Sequence, residues 1–167
     1  KYIQCKICSH INARFKDTIE FSNKIYLSKS LNYSKNYQSI DIKNFKDRQK
    51  KIYDPKAKFL KKFIKNEKKI KILDFGCGSG YFVSSLIDNG FKTAQGVELS
   101  KQQIDYGKKV FEKLKKDSNK LQFHNRDKIY DFISKTDANC ITLIGVLEHL
   151  VDIHSFLKTV KKNKNIK

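Results

Sequence analysis

Apolar and polar positions follow no sustained period over residues 11–53, which predicts irregular structure with one or two short strands or helices. Tyrosines recur through this stretch at Tyr26, Tyr33, Tyr37 and Tyr53. A helix start is legible at Asp54-Pro55, with Asp as N-cap and Pro at the first helical position. Phe59, Leu60, Phe63 and Ile64 then repeat at helical spacing, so residues 55–66 read as an amphipathic helix. Lys61, Lys62 and Lys65 fall on its wet side.

From residue 70 the pattern becomes an alternation of strand and helix. Ile70 to Phe75 is a short strand, Gly76 to Gly80 a glycine-rich turn, and Tyr81 to Asp88 a helix that stops at Asn89-Gly90. Thr93 to Leu99 is a second strand. Ser100 with Gln103 three residues on fits a capping box, and Ile104, Gly107, Phe111 and Leu114 mark the buried stripe of the helix it opens. Leu121 to Phe123 is a third strand, and Asp127 to Ser134 a short helix. Ala138 to Val146 is a fourth strand, apolar enough to be buried on both faces. Ile153, Phe156, Leu157 and Val160 define a last helix. Such alternation predicts an α/β fold with a doubly wound parallel sheet. The expected division is a small irregular segment at 1–53 and an α/β domain at 54–167.

Composition changes this picture little. The chain has 167 residues, a formal net charge of +19, and 12 Phe and 8 Tyr, enough for a core. No run approaches the ~20 apolar residues of a membrane span. Of the 36 basic residues only Arg14, Arg48 and Arg126 are arginine. Phosphate and base recognition recruits Arg for its planar fork, so this excess of Lys reads chiefly as compositional bias on a solvated surface. Four scattered cysteines (Cys5, Cys8, Cys77, Cys140) make no disulfide framework, and a reducing cytoplasm is the expected setting.

The sharpest local signal is Leu73-Asp74-Phe75-Gly76-Cys77-Gly78-Ser79-Gly80-Tyr81. A strand runs into glycines that open a helix, the context of a nucleotide-type loop. A dinucleotide fingerprint would read G-x-G-x-x-G; here the third glycine comes one position early and Tyr81 occupies the fingerprint's last place. Asp74, at the strand end, is unfavourable beside a pyrophosphate and suits a cation. S-adenosylmethionine has an ammonium and a sulfonium and no phosphate.

The pattern D-x-G-x-G-x-G at this place resembles class I S-adenosylmethionine-dependent methyltransferases. The resemblance extends over residues 70–160 and includes Gly96-Val97-Glu98-Leu99-Ser100 and Ile144-Gly145-Val146-Leu147-Glu148-His149-Leu150. It implies a Rossmann-like sheet, Asp74, Gly76, Gly78 and Gly80 around the cofactor, Glu98 on both ribose hydroxyls, Leu99 over an adenine face, and Gly145 along the methionine end. The V-L-E-H-L segment is similar to that of small-molecule methyltransferases. Methyl transfer is an in-line attack on a sulfonium carbon, helped by positioning and, where needed, by a general base. His149, with Glu148 beside it, is the candidate base; a cap or a space-filling role is the competing reading. His124 is a candidate neighbour of the adenine, and His154 is expected on the surface of the last helix.

The segment after the fourth strand lacks the N/D-P-P-Y/F of amino-methylating nucleic-acid enzymes, and no Pro-Cys or Thr-Cys marks a cytosine-5 enzyme. Cys77 and Cys140 read as structural. Cys5-Lys-Ile-Cys8-Ser-His10 has knuckle spacing, which makes Cys5, Cys8 and His10 candidate zinc ligands, but no second Cys pair follows. A Cys-x-x-Cys segment ahead of such a domain resembles deoxysugar methyltransferases, which implies a nucleotide-linked sugar as acceptor and a basic, Tyr-rich N-terminal third that helps bind it. An RNA-modifying enzyme, favoured by charge alone, and a cofactor- or partner-binding domain without turnover are the alternatives. The family's seven strands exceed the four legible here, and Met is absent, so the chain is expected to be an excerpt lacking the C-terminal strands.

Overall fold

The computed structural model describes residues 2–13, 18–26, 39–64 and 69–166. Two short strands, β1 (Tyr2–Gln4) and β2 (Ile11–Ala13), pair antiparallel at the N-terminus. Helix α1 (Ile19–Tyr26) and helix α2 (Ile42–Arg48) follow. Asp41 caps α2 by accepting from the Asn44 N–H at 2.8 Å. A π-helical turn over Gln49–Tyr53 carries α2 into α3 (Asp54–Phe63).

The rest alternates as β3 (Ile72–Phe75), α4 (Tyr81–Asp88), β4 (Gln95–Glu98), α5 (Lys101–Lys113), β5 (Leu121–Phe123), α6 (Arg126–Lys135), β6 (Cys140–Thr142) and α7 (Ile153–Lys162). The four strands β5-β4-β3-β6 form one parallel sheet in that order. Succession runs outward from β3 through β4 to β5, then crosses to β6 on the other side of β3. The order therefore reverses between β3 and β6, the place where doubly wound folds open a ligand crevice at the strands' carboxyl ends.

Alternation along β3 divides the core. Ile72 packs with Phe82, Val83, Leu86, Val110 and Phe111 from α4 and α5. Leu73 and Phe75 pack with Ile129, Ile133 and Phe156 from α6 and α7. Phe45 of α2 and Ala57 of α3 also belong to the first cluster. The helical run through α2 and α3 thus crosses the 53/54 boundary set by the sequence pattern. Buried Gln49 anchors that run: its Nε2 donates to Asp88 at 2.8 Å and its Oε1 accepts from Ser84 at 3.1 Å.

Three expectations need correction. The fourth strand is three residues long rather than nine, and Cys140, Ile141 and Thr142 are only half-buried. It lies at the edge of the sheet, with β3 as its single neighbour among the described residues. Helix α3 ends at Phe63, with Tyr53 rather than Asp54 as its N-cap. Its apolar stripe is only partly covered: Leu60 and Ile64 pack on the core, whereas Phe59 and Phe63 are exposed and meet each other edge to face at 5.0 Å. The helices at 81–88 and from Ser100 stand as expected, the latter with Ser100 accepting from the Gln103 N–H. No helix among the described residues is long and apolar enough to cross a membrane.

Gly107 shows how closely α5 approaches the glycine turn. A Cβ there would stand 2.7 Å from the Ser79 carbonyl oxygen, a backbone atom with no freedom to yield. Alanine would gain about 1 kcal/mol in helix propensity, but overpacking costs typically 1–3 kcal/mol. Gly107→Ala is therefore expected to lower the urea midpoint of unfolding. An unchanged or higher midpoint would contradict this packing.

Candidate cofactor and acceptor site

A cavity of about 610 Å³ opens at the switch point, within the range of about 300–1,000 Å³ typical of small-molecule sites. The glycine turn forms one wall. Gly76, Gly78 and Gly80 all have positive φ, between 56° and 79°, which only glycine adopts without strain. At Gly76 a Cβ would also overlap Val146 at 2.5 Å, so the turn is held tightly against the segment after β6.

Glu98, at the end of β4, fastens this turn. Its Oε2 accepts from the Gly78 N–H at 3.0 Å, and its Oε1 accepts from the N–H groups of Leu99 at 2.7 Å and Ser100 at 2.9 Å. A carboxylate offers about four lone-pair positions. Three are used by backbone, and the carboxylate still lines the cavity. Leu99 lies beside it, half-buried.

Asp74 is 2% exposed and also lines the cavity. Its Oδ1 accepts from the Thr142 hydroxyl at 2.8 Å, across the β3–β6 register that sets these two residues side by side. Burial dominates its titration and raises its pKa from 3.8 to about 7; the Thr142 hydrogen bond works against this, and the Glu98 charge adds to it. Beside the glycine turn the cavity therefore has two carboxylates, Asp74 and Glu98, and among the described residues no cation pairs with the buried Asp74. That arrangement suits a cation and disfavours a pyrophosphate. Cys77 is buried as well, its thiol pKa raised well above normal, first by burial and then by the charges of Asp74 and Glu98.

Gly145 and His149 line the cavity from the segment after β6, Gly145 at φ 66°. His149 closes a 3-10 turn, its N–H donating to the Val146 carbonyl at 2.9 Å. Glu148 is exposed and is not part of the cavity wall. The structure thus gathers Asp74, Gly76, Gly78, Glu98, Leu99, Gly145 and His149 at one cavity, with Gly80 shaping the turn from behind against Leu121. His124 packs against Phe132 with ring centres 4.1 Å apart and tilted by 32°, and it does not line the cavity; burial lowers its pKa. His154 is exposed.

The N-terminal cysteines lie elsewhere. The Cys5 N–H donates to the His10 carbonyl at 2.8 Å, closing the turn between β1 and β2. Backbone hydrogen bonds from Cys8 and Ile7 lower the Cys5 pKa. Among the described residues no three His, Cys, Asp or Glu side chains cluster as a metal site, so Cys5, Cys8 and His10 are not gathered as ligands.

Several walls were not legible in the pattern. Ile19 and Ser22 of α1, Arg48 of α2, Tyr53, Tyr81, Arg126 and Tyr130 all line the cavity. Tyr81 stacks on Phe45 at 4.2 Å and on Tyr53 at 5.4 Å, with the Arg48 guanidinium 5.1 Å from its ring. Of these walls only Tyr53 had an advance signal, as one of the tyrosines of the N-terminal third expected to help bind the acceptor.

A methyltransferase-domain family model matches residues 45–165, and the chain belongs to that family. Its fold is that of S-adenosylmethionine-dependent methyltransferases of known structure. One from Thiobacillus denitrificans, solved with S-adenosyl-L-homocysteine, superposes with a TM-score of 0.52 at 17% identity, covering 68% of this chain and 44% of that one. One from Aquifex aeolicus gives 0.51 at 18% identity, covering 75% and 67%. One from Geobacter sulfurreducens, also solved with S-adenosyl-L-homocysteine, gives 0.50 at 16%, covering 77% and 53%. The chain thus spans about half to two thirds of their lengths. Comparison with curated protein sequences finds no match.

Proposed function

We propose that this chain carries the cofactor site of an S-adenosylmethionine-dependent methyltransferase whose acceptor is a small molecule, such as a nucleotide-linked sugar or another metabolite. One observation carries the reading: a ribose-competent carboxylate, Glu98, is bonded to the glycine turn beside the buried, uncompensated Asp74. When bound, S-adenosylmethionine supplies an electrophilic methyl group on a sulfonium. Asp74 is the residue that faces its cationic end. A cation there favours the ionised carboxylate and draws its pKa down from about 7.

Glu98 keeps one lone-pair position for ribose hydroxyls, and its backbone bonds hold that position fixed. Leu99 covers an adenine face. The bare backbone at Gly145 forms the wall beside the methionine moiety. His149 lines the cavity, where its imidazole can take the acceptor's proton. Glu148 provides no cavity wall and is given no part in the proton transfer.

His149→Ala is expected to lower turnover by at least ~100-fold with S-adenosylhomocysteine affinity nearly unchanged. The assay is radiolabelled methyl transfer to the acceptor found by screening nucleotide-linked sugars and other metabolites. A loss of less than tenfold would remove His149 from the proton transfer.

A further inference from the structure

Thirty-six Lys and Arg residues include only three arginines, and Arg14 lies outside the described residues. The other two, Arg48 and Arg126, both line the cavity. They reach it from unrelated elements, α2 and the first turn of α6. In a chain whose surface cations are almost all lysine, this placement is selective.

Among the described residues no carboxylate forms an ion pair with Arg48 or Arg126. Asp152, the other acid of the cavity wall, is spent capping α7: it accepts from the Ser155 N–H at 2.9 Å and from its hydroxyl at 2.6 Å. Arg126 donates from one Nη to the buried Ser22 hydroxyl at 2.9 Å. Its Nε–H is buried and has no hydrogen-bond partner among the described residues. An unpartnered buried donor is unfavourable, more so on a charged group, and a bound anion removes the penalty. Arg48, exposed at the rim, has its guanidinium 5.1 Å from the centre of the Tyr81 ring.

We propose that the methyl acceptor carries a carboxylate or phosphate group, held by Arg126 within the cavity and by Arg48 at its rim. The inference rests on the methyltransferase reading above. It divides the cavity by charge: Asp74 and Glu98 serve the cationic cofactor, and the two arginines serve the anionic acceptor. Arginine suits this role because its fork binds both oxyanions bidentately.

The test titrates inorganic pyrophosphate and benzoate, by calorimetry in 150 mM salt, into the full chain with and without saturating S-adenosylhomocysteine. Saturable binding of at least one anion is expected. Arg126→Gln should weaken it at least tenfold and Arg48→Gln by a smaller factor, with the Kd of S-adenosylhomocysteine within twofold of the parent. The anion that binds more tightly identifies the acceptor group as phosphate or carboxylate. Ser22→Ala removes the tether and keeps the cation, so anion binding should persist within threefold. Thermal unfolding of each variant checks folding, and Arg48→Gln, at an exposed position, tests the site if Arg126→Gln does not fold. No saturable anion binding, or binding unchanged in both arginine variants, overturns the inference. A parallel loss of S-adenosylhomocysteine affinity assigns the arginines to the cofactor carboxylate and also overturns it. Absence of S-adenosylhomocysteine binding by the parent, with anion binding intact, overturns the methyltransferase reading instead.

Discussion

Glu98→Gln is expected to weaken S-adenosylhomocysteine binding by about 10²-fold, close to 3 kcal/mol, and to lower the melting temperature. The carboxylate accepts from three backbone N–H groups, two on Oε1 and one on Oε2. Glutamine has one acceptor oxygen and one NH₂. If that oxygen takes the Leu99 and Ser100 N–H groups, the NH₂ faces the Gly78 N–H, donor against donor. If the amide flips, Leu99 and Ser100 lose their acceptor. Either way at least one backbone N–H loses its acceptor, and the ribose loses its charged acceptor. Calorimetry and thermal unfolding check both halves. A loss below threefold in affinity would mean that the carboxylate serves the turn alone.

Asp74→Asn is expected to move stability and cofactor affinity in opposite directions. The Asp74 pKa is about 7 in the folded chain against 3.8 for an unperturbed carboxyl. Between those values the native state holds a proton that the unfolded state has released. Stability therefore falls as pH rises from about 4 to 7, and the full cost is present above 7. The span sets an upper bound of a few kcal/mol. Asparagine carries no charge and can still accept from Thr142. The variant should thus outlast the parent in urea at pH 8, with the advantage shrinking to under half by pH 5. Its affinity for S-adenosylmethionine should fall at least tenfold and lack the rise between pH 6 and 8 expected of the parent as Asp74 ionises. Equal stability at pH 8 would place a compensating cation beside Asp74.

Both residues were legible in the sequence because their signals are local. A strand that ends in Asp and runs into G-x-G-x-G fixes the turn, and a second strand ending in Glu falls beside it by parallel pairing alone. The alternating periods likewise made a parallel sheet legible, and the fold adds its order, β5-β4-β3-β6. The acceptor side was not legible. Arg126 opens a short helix and Arg48 closes another, and neither position has a pattern that distinguishes it from a solvated cation. Only the fold brings them to one cavity. Strand β6 was overread because an apolar run shows affinity for a core without showing where pairing stops. The exposed Phe59 and Phe63 were misread for a similar reason: helical spacing identifies a stripe, not what covers it.

The central claim is that the glycine turn, Asp74 and Glu98 together hold S-adenosylmethionine. Calorimetric titration of the parent chain with S-adenosylhomocysteine at pH 8 tests it most directly. A single saturable site with a micromolar Kd, abolished or greatly weakened by Glu98→Gln, is the expected result. A folded chain that shows no saturable binding up to millimolar ligand would contradict the claim.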